Sequence, residues 1–227
     1  MQSPAPYSSY KNTIMIHADA NLMFSKFKSI LCLDGELPSV DFFKSASLPI
    51  IAADGAANTL MQMGVLPQIV IGDLDSIASD FKKTLNTLHR PDQNSCDYEK
   101  SLAYLQANDL LPSIICGTNG GQLDHILNNI NLFAENDNLL LSHHMMGLML
   151  REKSERLFKL ALNTKISIFG APHAIVTSEG LEWELENYAM NFFGKNSCFN
   201  RTKRDDVLLR VVKGSALVLI HCGLDDL

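Results

Sequence analysis

The chain has 227 residues, of which 46% are hydrophobic, so it can form one large domain or two modest ones with real cores. Its formal net charge is -6 and no basic stripe runs along it, which argues against nucleic acid as a main partner. Its five cysteines are scattered and form no C-x-x-C pair, which argues against a disulfide framework or a zinc site and favours a reduced, cytoplasmic compartment.

The beginning of the chain does not resemble a targeting segment. The first ten residues lack the basic and apolar regions of a signal peptide, and no apolar run reaches the length of a membrane span. We therefore expect no membrane partner, and we expect residues 1–28 to form an N-terminal extension ahead of the folded domains.

Residues 29–143 alternate short apolar runs with helical patterns. The runs lie at 30–33, 49–53, 69–71 and 113–116, and the helical patterns at 56–63, 81–88, 97–105 and 123–133, with Asp97 as the N-cap of the third helix. This alternation predicts an α/β domain with a Rossmann-like, mainly parallel sheet. Ligands bind beyond the carboxyl ends of such strands, where this chain places Asp34, Asp54, Asp73 and Asp75.

Residues 144–227 follow a different pattern. Apolar and polar residues alternate at 166–168, 181–185 and 207–211, and a compact apolar run follows at 217–220, which predicts an all-β, antiparallel, sandwich-like domain. Trp183, the only tryptophan, shares a face with Leu181 and Leu185 in this pattern, so we expect it to pack in the core. The alternative is that its ring stacks on a flat heteroaromatic ligand.

The most informative motif is the pair Asp73 and Asp75 at the end of the run 69–71. In an extended backbone, side chains two residues apart point the same way, so both carboxylates can reach one hard cation. Mg²⁺ takes one or two protein carboxylates and fills its shell with waters and substrate phosphates. The motif therefore predicts a Mg²⁺ site for phosphoryl chemistry; the alternative is a solvated strand end with a capping aspartate.

A second acidic segment begins the helix that follows. Asp97 and Lys100 lie one turn apart there, and they are either an ordinary helix start or a third carboxylate near the metal with a charge-balancing cation.

The third motif is a glycine-rich turn at 117–125, between a strand and a helix. Glycines let the backbone approach a ligand closely, and the following helix N-terminus offers N–H groups to anions. It is not a P-loop, since no Gly-Lys-Ser/Thr follows. The alternatives are a tight turn that requires positive φ, and a structural role for His125.

Taken together, these segments resemble thiamine pyrophosphokinases. The resemblance runs from about residue 30 to the C-terminus, and its order and spacing are specific. It is carried by Ala52-Ala53-Asp54-Gly55-Ala56, Ile71-Gly72-Asp73-Leu74-Asp75-Ser76, Asp92-Gln93 with Asp97-Tyr98-Glu99-Lys100, Gly120-Gly121-Gln122-Leu123-Asp124-His125 and Gly180-Leu181-Glu182-Trp183.

The resemblance implies transfer of a pyrophosphoryl group from ATP to the hydroxyl of thiamine, with release of AMP. It also implies Mg²⁺ as cofactor, ATP and thiamine as substrates, and a homodimer whose active sites lie at the subunit interface. The alternatives are a metal-dependent pyrophosphoryl or nucleotidyl transferase acting on another alcohol, or a thiamine- or nucleotide-binding protein with little turnover.

The resemblance also assigns roles to individual residues. The catalytic residues are Asp73, Asp75, Asp97 and Lys100, of which the three aspartates hold Mg²⁺. The ATP-binding residues are Asp54, Gly55, Gln93, Gly117, Thr118, Asn119, Gly120, Gly121, Gln122 and His125. The thiamine-binding residues are Asp124, Trp183, Ser197 and Asn200.

Some positions depart from the family's pattern. Asp34 stands where the family has Asn, Gln122 where it has Arg, and Glu182 where it has Lys, and the segment 197–200 is only partly kept. A neutral amide cannot clamp a phosphate bidentately as arginine does. Lys100 and Arg90 are the candidates for a compensating cation.

Overall fold

A computed structural model describes residues 13–15 and 24–222, and most of the predicted N-terminal extension lies outside these residues. The chain divides into two compact units, which we call the α/β unit (residues 24–148) and the β unit (residues 149–221). No helix among the described residues is long and apolar enough to cross a membrane.

The strands, in chain order, are β1 (Thr13–Met15), β2 (Ser29–Cys32), β3 (Ile50–Ala53), β4 (Ile69–Gly72), β5 (Thr87–His89), β6 (Ser113–Cys116), β7 (Leu139–Ser142), β8 (Met145–Leu150), β9 (Ser154–Lys159), β10 (Lys165–Glu179), β11 (Tyr188–Asn191), β12 (Ser197–Arg201) and β13 (Asp206–Ile220). The helices are α1 (Val40–Ala46), α2 (Ala56–Gln62), α3 (Ser79–Lys82), α4 (Asp97–Ala107) and α5 (Leu123–Ala134).

The α/β unit is built on a mixed sheet. Its strand order is β5-β4-β3-β2-β6-β7-β8, in which all neighbours are parallel except β8, which runs antiparallel to β7. Every residue of β2, β6 and β7 is buried, which explains why these strands are continuous apolar runs rather than alternating ones. The chain adds strands on one side of β2 up to β5 and then crosses to the other side with β6. The crevice between the carboxyl ends of β2 and β6 is therefore the switch point at which open α/β sheets bind ligands.

Strands occur at all four predicted apolar runs of this unit, but two local predictions were wrong. The helix predicted at 81–88 is the short α3 followed by β5, because Thr87 and Leu88 pair with Val70 and Ile71 of β4. A neighbouring strand thus overrides the local helical pattern. Asp97 is the first residue of α4 rather than its N-cap, which is Cys96. The backbone N–H of Cys96 donates to Glu99 Oε2 at 2.8 Å.

The β unit has a β-rich, largely antiparallel architecture. The two 15-residue strands β10 and β13 pair along most of their length, β9 lies on the other side of β13, and β1 pairs in parallel with β9. On its other edge β10 pairs with β12 near its start and with β11 near its end.

The strand predicted at 181–185 is instead a loop, in which only Leu181 makes an isolated bridge, to Thr202. Leu181 and Leu185 are buried, as the pattern indicated, but Trp183 is 58% exposed, so its predicted core packing was wrong. Side-chain hydrogen bonds, rather than the backbone ladder of a sheet, hold this segment as a loop.

Candidate active site

A cavity of about 490 Å³ opens at the carboxyl edge of the sheet in the α/β unit. Its walls come from the ends of β2, β3 and β6, the loop after β4, the start of α4 and the first two turns of α5. Its lining residues are Leu33, Asp34, Ala53, Asp54, Gly55, Ser76, Cys96, Asp97, Tyr98, Gly117, Thr118, Asn119, Gly121, Asp124, His125, Ile126, Asn128 and Asn129.

Three carboxylates, which we call the acidic group, converge at one side of this edge. One oxygen from each of Asp54, Asp73 and Asp75 lies within 4.8 Å of the other two. The backbone that brings Asp73 and Asp75 together is not the extended one expected from the sequence, since β4 ends at Gly72 and Leu74 has φ of 66°. The chain therefore turns between the two aspartates, and the turn lets Asp54 of the neighbouring strand complete the group.

Asp54 is the buried member of this group. It is 3% exposed and holds a φ of 35°, a conformation that aspartate and asparagine tolerate better than most residues. Its Oδ2 accepts a weak hydrogen bond from the Ser76 N–H at 3.4 Å, whereas its buried Oδ1 has no partner. Burial, more than any other cause, raises the pKa of Asp54 above its ordinary value. A buried carboxylate oxygen without a hydrogen-bond partner, beside two other carboxylates, would be satisfied by a bound cation.

Asp73 lies in the opposite electrostatic situation. Gln93 donates from Nε2 to Asp73 Oδ2 at 3.0 Å, and this hydrogen bond is the largest cause that lowers the pKa of Asp73. The structure thus places Gln93 against a carboxylate of the acidic group, where it keeps Asp73 ionised and oriented.

Asp97 and Lys100 form an ion pair beside the group. Lys100 Nζ lies 3.1 Å from Asp97 Oδ1, and the side chain of Lys100 is only 6% exposed. A Cβ placed on Gly72 would meet Asp54 Cβ at 2.7 Å and Asp97 Oδ1 at 3.1 Å, so Gly72 makes room for both aspartates. Asp97 is close enough to contribute to the raised pKa of Asp54, but it is not one of the three carboxylates that converge.

The glycine-rich turn packs directly against the end of β2. Gly117 has φ of 76°, and a Cβ there would overlap the carbonyl oxygen of Leu33, so this position requires glycine. Asn119 is held by two contacts with Glu36: its carbonyl accepts from the Glu36 N–H at 2.8 Å, and its Nδ2 donates to Glu36 Oε2 at 2.7 Å. The turn therefore has a fixed backbone at the cavity wall.

The helix that follows this turn presents its first turn to the cavity. Gln122 is its N-cap and makes no capping hydrogen bond through its side chain, while Asp124 Oδ1 accepts the N–H of His125 at 2.9 Å. The predicted helix is confirmed, but its apolar stripe is only partly covered: Leu132 and Phe133 are buried, whereas Leu123 is 71% exposed.

The predicted thiamine-binding residues other than Asp124 lie in the β unit, where they form a group of their own. Asn200 is 1% exposed and clamps the backbone of Trp183, accepting its N–H at 3.2 Å and donating to its carbonyl at 2.7 Å. The same Nδ2 lies 3.2 Å from Ser197 Oγ. Glu184 fixes the start of the loop, since its side-chain carboxylate accepts hydrogen bonds from the backbone N–H groups of Gly180 and Leu181. The result is a fixed loop that presents an exposed indole ring.

Comparison with known proteins shows a similarity to thiamine pyrophosphokinases. Residues 41–141 match the family model described as thiamin pyrophosphokinase, catalytic domain, and this segment contains the three converging carboxylates together with Asp97 and Lys100. The chain is also 28% identical over 172 residues to thiamine pyrophosphokinase 3 of Oryza sativa subsp. japonica. The family model thus matches just under half of the chain, and the similarity is to the catalytic domain of thiamin pyrophosphokinases.

The alignment with the rice thiamine pyrophosphokinase covers 67% of this chain and 64% of the relative, so it spans just under two thirds of that relative's length. Thiamin pyrophosphokinase 1 of Caenorhabditis elegans is 26% identical over 195 residues, covering 78% of this chain and 79% of its own.

Solved structures show the same fold. Yeast thiamin pyrophosphokinase superposes with a TM-score of 0.78 at 17% identity, covering 96% of this chain and 93% of its own. The enzyme from Candida albicans gives a TM-score of 0.77 at 15% identity, covering 97% and 94%.

Some residues that line the cavity were not predicted from the sequence as site residues. Cys96, Asn128 and Asn129 line the cavity, and Asn128 Nδ2 lies 3.7 Å from Cys96 Sγ. No local signal marks them, since they come from the start of α4 and the middle of α5, two helices that meet only in the fold. Asp34, which the sequence placed at a ligand-binding strand end without a specific role, also lines the cavity.

Proposed function

We propose that this protein transfers a pyrophosphoryl group from ATP to thiamine, giving thiamine diphosphate and AMP. The thiamine hydroxyl oxygen forms a bond to the β-phosphorus and loses its proton, while the bond from that phosphorus to the α,β-bridging oxygen breaks and the oxygen leaves with AMP. Catalysis of this kind depends mostly on positioning and electrostatic stabilisation.

The observation that carries the proposal is the convergence of Asp54, Asp73 and Asp75 at the edge of a cavity, within the segment 41–141 that matches the thiamin pyrophosphokinase catalytic domain. The donor set fits Mg²⁺, since it consists of carboxylate oxygens and includes the unpartnered Oδ1 of Asp54. Asp73, Asp75 and, from the family resemblance, Asp97 are the proposed ligands, and Asp54 joins them on geometric grounds. When bound, Mg²⁺ would offset the negative charge of the phosphate oxygens.

The remaining polar groups of the site have supporting roles in this proposal. Gln93 holds the Asp73 carboxylate in its ionised form, and Lys100 offsets part of the negative charge through Asp97. The turn at 117–121 and the first turn of α5 offer backbone N–H groups to the nucleotide and its phosphates. The cavity accommodates the nucleoside, with Asp54, Gly55, Thr118, Asn119 and His125 among the proposed contacts.

From the family resemblance, thiamine contacts are proposed for Asp124 and, separately, for the Trp183 loop. A ring that is exposed and held at its backbone suits stacking on a flat cationic heteroaromatic molecule. Since Asn200 already makes hydrogen bonds to the Trp183 backbone and to Ser197, we assign it the role of positioning the loop.

The wider organisation belongs to the same proposal. We propose a Rossmann-like nucleotide-binding domain over residues 29–143 and a β-sandwich-like thiamine-binding domain over 144–227. The protein would act in the cytoplasm as a homodimer with its sites at the subunit interface, without nucleic acid or membrane as a partner.

The direct test is an AMP-release assay with ATP, Mg²⁺ and thiamine, with thiamine omitted as the control. Thiamine-dependent AMP release supports the proposal. Release of pyrophosphate instead would indicate nucleotidyl transfer, and AMP release only with another alcohol would change the acceptor. Calorimetric binding of thiamine without AMP formation under any divalent metal would indicate a binding protein.

A further inference from the structure

A bound triphosphate needs positive charge, and the cavity provides little of it. The cavity lining includes the carboxylates of Asp34, Asp54, Asp97 and Asp124, and among the described residues neither a lysine nor an arginine lines it. Gln122, which begins α5, is neutral. A cationic side chain that holds the terminal phosphates must therefore come from beyond the cavity wall.

Lys100 does not meet this need. Its side chain is 6% exposed and its ammonium group already lies 3.1 Å from Asp97 Oδ1, so its charge is compensated inside the protein. Breaking such a buried pair to bind a phosphate would leave Asp97 without its partner, which is unfavourable.

Arg90 is placed differently. It follows β5 directly, and its backbone N–H donates to the carbonyl of Gly72 at 2.7 Å, so its Cα is fixed beside the residue that precedes Asp73. Arg90 is exposed, and within the described part of the chain its guanidinium group has no hydrogen-bond or ion-pair partner. The nearby Asp92 carboxylate is engaged by Asn94 and Ser95 instead.

We propose that Arg90 grips the terminal phosphates of ATP in this protein, an assignment that rests on the proposed function. The acidic group marks where the pyrophosphoryl part of ATP lies, and Arg90 is anchored one strand away at the same sheet edge. A guanidinium group binds phosphate oxygens bidentately and is always charged, which suits it to this role. Arg90 thereby provides the cation that Gln122 does not.

The test measures binding rather than turnover. Arg90→Gln is expected to weaken the calorimetric affinity for Mg²⁺·ATP about 10- to 100-fold, the loss of a charge-assisted contact, and to leave the affinity for AMP unchanged. Arg90→Lys keeps the charge without the bidentate geometry, so an intermediate loss is expected. Adding Gln122→Arg to the Arg90→Gln variant is expected to restore most of the ATP affinity.

The matched control is Lys44→Gln. Lys44 is an exposed cation in the last turn of α1, away from the carboxyl edge of the sheet, so its loss is expected to leave ATP affinity unchanged.

An unchanged ATP affinity in Arg90→Gln would overturn the assignment, and so would an equal loss of ATP and AMP affinity, which would indicate a general disturbance of the site. If the wild type binds Mg²⁺·ATP but releases no AMP with thiamine, and Arg90→Gln still weakens ATP binding, the proposed function fails while Arg90 remains a phosphate-binding residue. If the wild type turns over and Arg90→Gln binds ATP normally, the assignment fails while the function stands.

Discussion

Gln93 Nε2 lies 3.0 Å from Asp73 Oδ2, so an amide from the loop after β5 holds a carboxylate at the end of β4. This hydrogen bond is the main reason that the pKa of Asp73 lies below its ordinary value. A lower pKa keeps Asp73 ionised, and therefore able to bind a cation, to a lower pH.

Gln93→Leu is therefore expected to raise the pKa of Asp73. The pH at which Mg²⁺ affinity falls on acidification, the acid limb of the curve, should then be higher than in the wild type. The measurement is calorimetric metal affinity as a function of pH, with Gln106→Leu, an exposed residue of α4, as the control. Identical acid limbs in Gln93→Leu and wild type would show that the hydrogen bond does not tune Asp73.

Asp73→Asn is expected to lower thiamine-dependent AMP release by roughly 100- to 1000-fold while the protein stays folded, because it removes a charged oxygen where phosphate charge must be offset. AMP release is compared with the circular dichroism spectrum of the same sample. Asp109→Asn, which loses only an exposed ion pair with Lys28, provides the control. Near-normal AMP release by Asp73→Asn would contradict the metal assignment.

Asp54→Asn is expected to stabilise the metal-free protein at neutral pH. The folded-state pKa of Asp54 is raised above its ordinary 3.8, mainly by burial, so ionising it opposes folding. This loss of folding stability is absent below pH 3.8, grows between pH 3.8 and the higher pKa of the folded state, and is constant above that pKa. The melting temperature of Asp54→Asn in EDTA should exceed that of wild type at pH 7, by about 2–4 °C for each kcal/mol gained, and the difference should narrow in acid.

The same variant should lose stabilisation by Mg²⁺, because the wild type gains melting temperature from a cation that binds only the folded state. Two results would contradict this role of Asp54 in the acidic group. One is a melting temperature of Asp54→Asn below that of wild type in EDTA at pH 7, and the other is an equal rise in melting temperature of both proteins with Mg²⁺.

Asn200→Ala is expected to loosen the Trp183 loop and to destabilise the β unit by about 1–3 kcal/mol, since it removes a buried side chain that makes several hydrogen bonds. Trp183 is the only tryptophan, so its fluorescence anisotropy reports the loop directly. We expect lower anisotropy and a higher KM for thiamine with little change in the KM for ATP. An unchanged anisotropy would show that Asn200 does not position the ring.

Gly117→Ala is expected to destabilise the protein by about 3 kcal/mol or more, because the new Cβ would overlap Leu33 and the residue would have to keep a positive φ. Gly121→Ala is the matched control in the same turn, since a Cβ there meets nothing within 4 Å. Chemical denaturation of both variants checks the difference, and equal losses would contradict the close packing of the turn on β2.

The sequence was sufficient to predict the elements whose pattern is set by burial alone. Both faces of the strands at 30–33, 49–53, 69–71 and 113–116 are covered, so these strands are apolar. A continuous apolar run of this kind can be recognised in the local sequence. The sequence also placed Asp54, Asp73 and the glycine-rich turn at the ends of strands, and these ends meet at one edge of a parallel sheet.

Only the tertiary structure decided which of these groups come together. Asp54 rather than Asp97 completes the convergent carboxylates, because Leu74 adopts a positive φ and Lys100 holds Asp97 in an ion pair. Trp183 is exposed although its spacing matched two buried leucines, because Asn200 and Glu184 shape the loop through hydrogen bonds between residues distant in sequence or across a turn. Periodicity records which face of a regular element is buried, whereas side-chain hydrogen bonds and left-handed turns leave no period in the sequence.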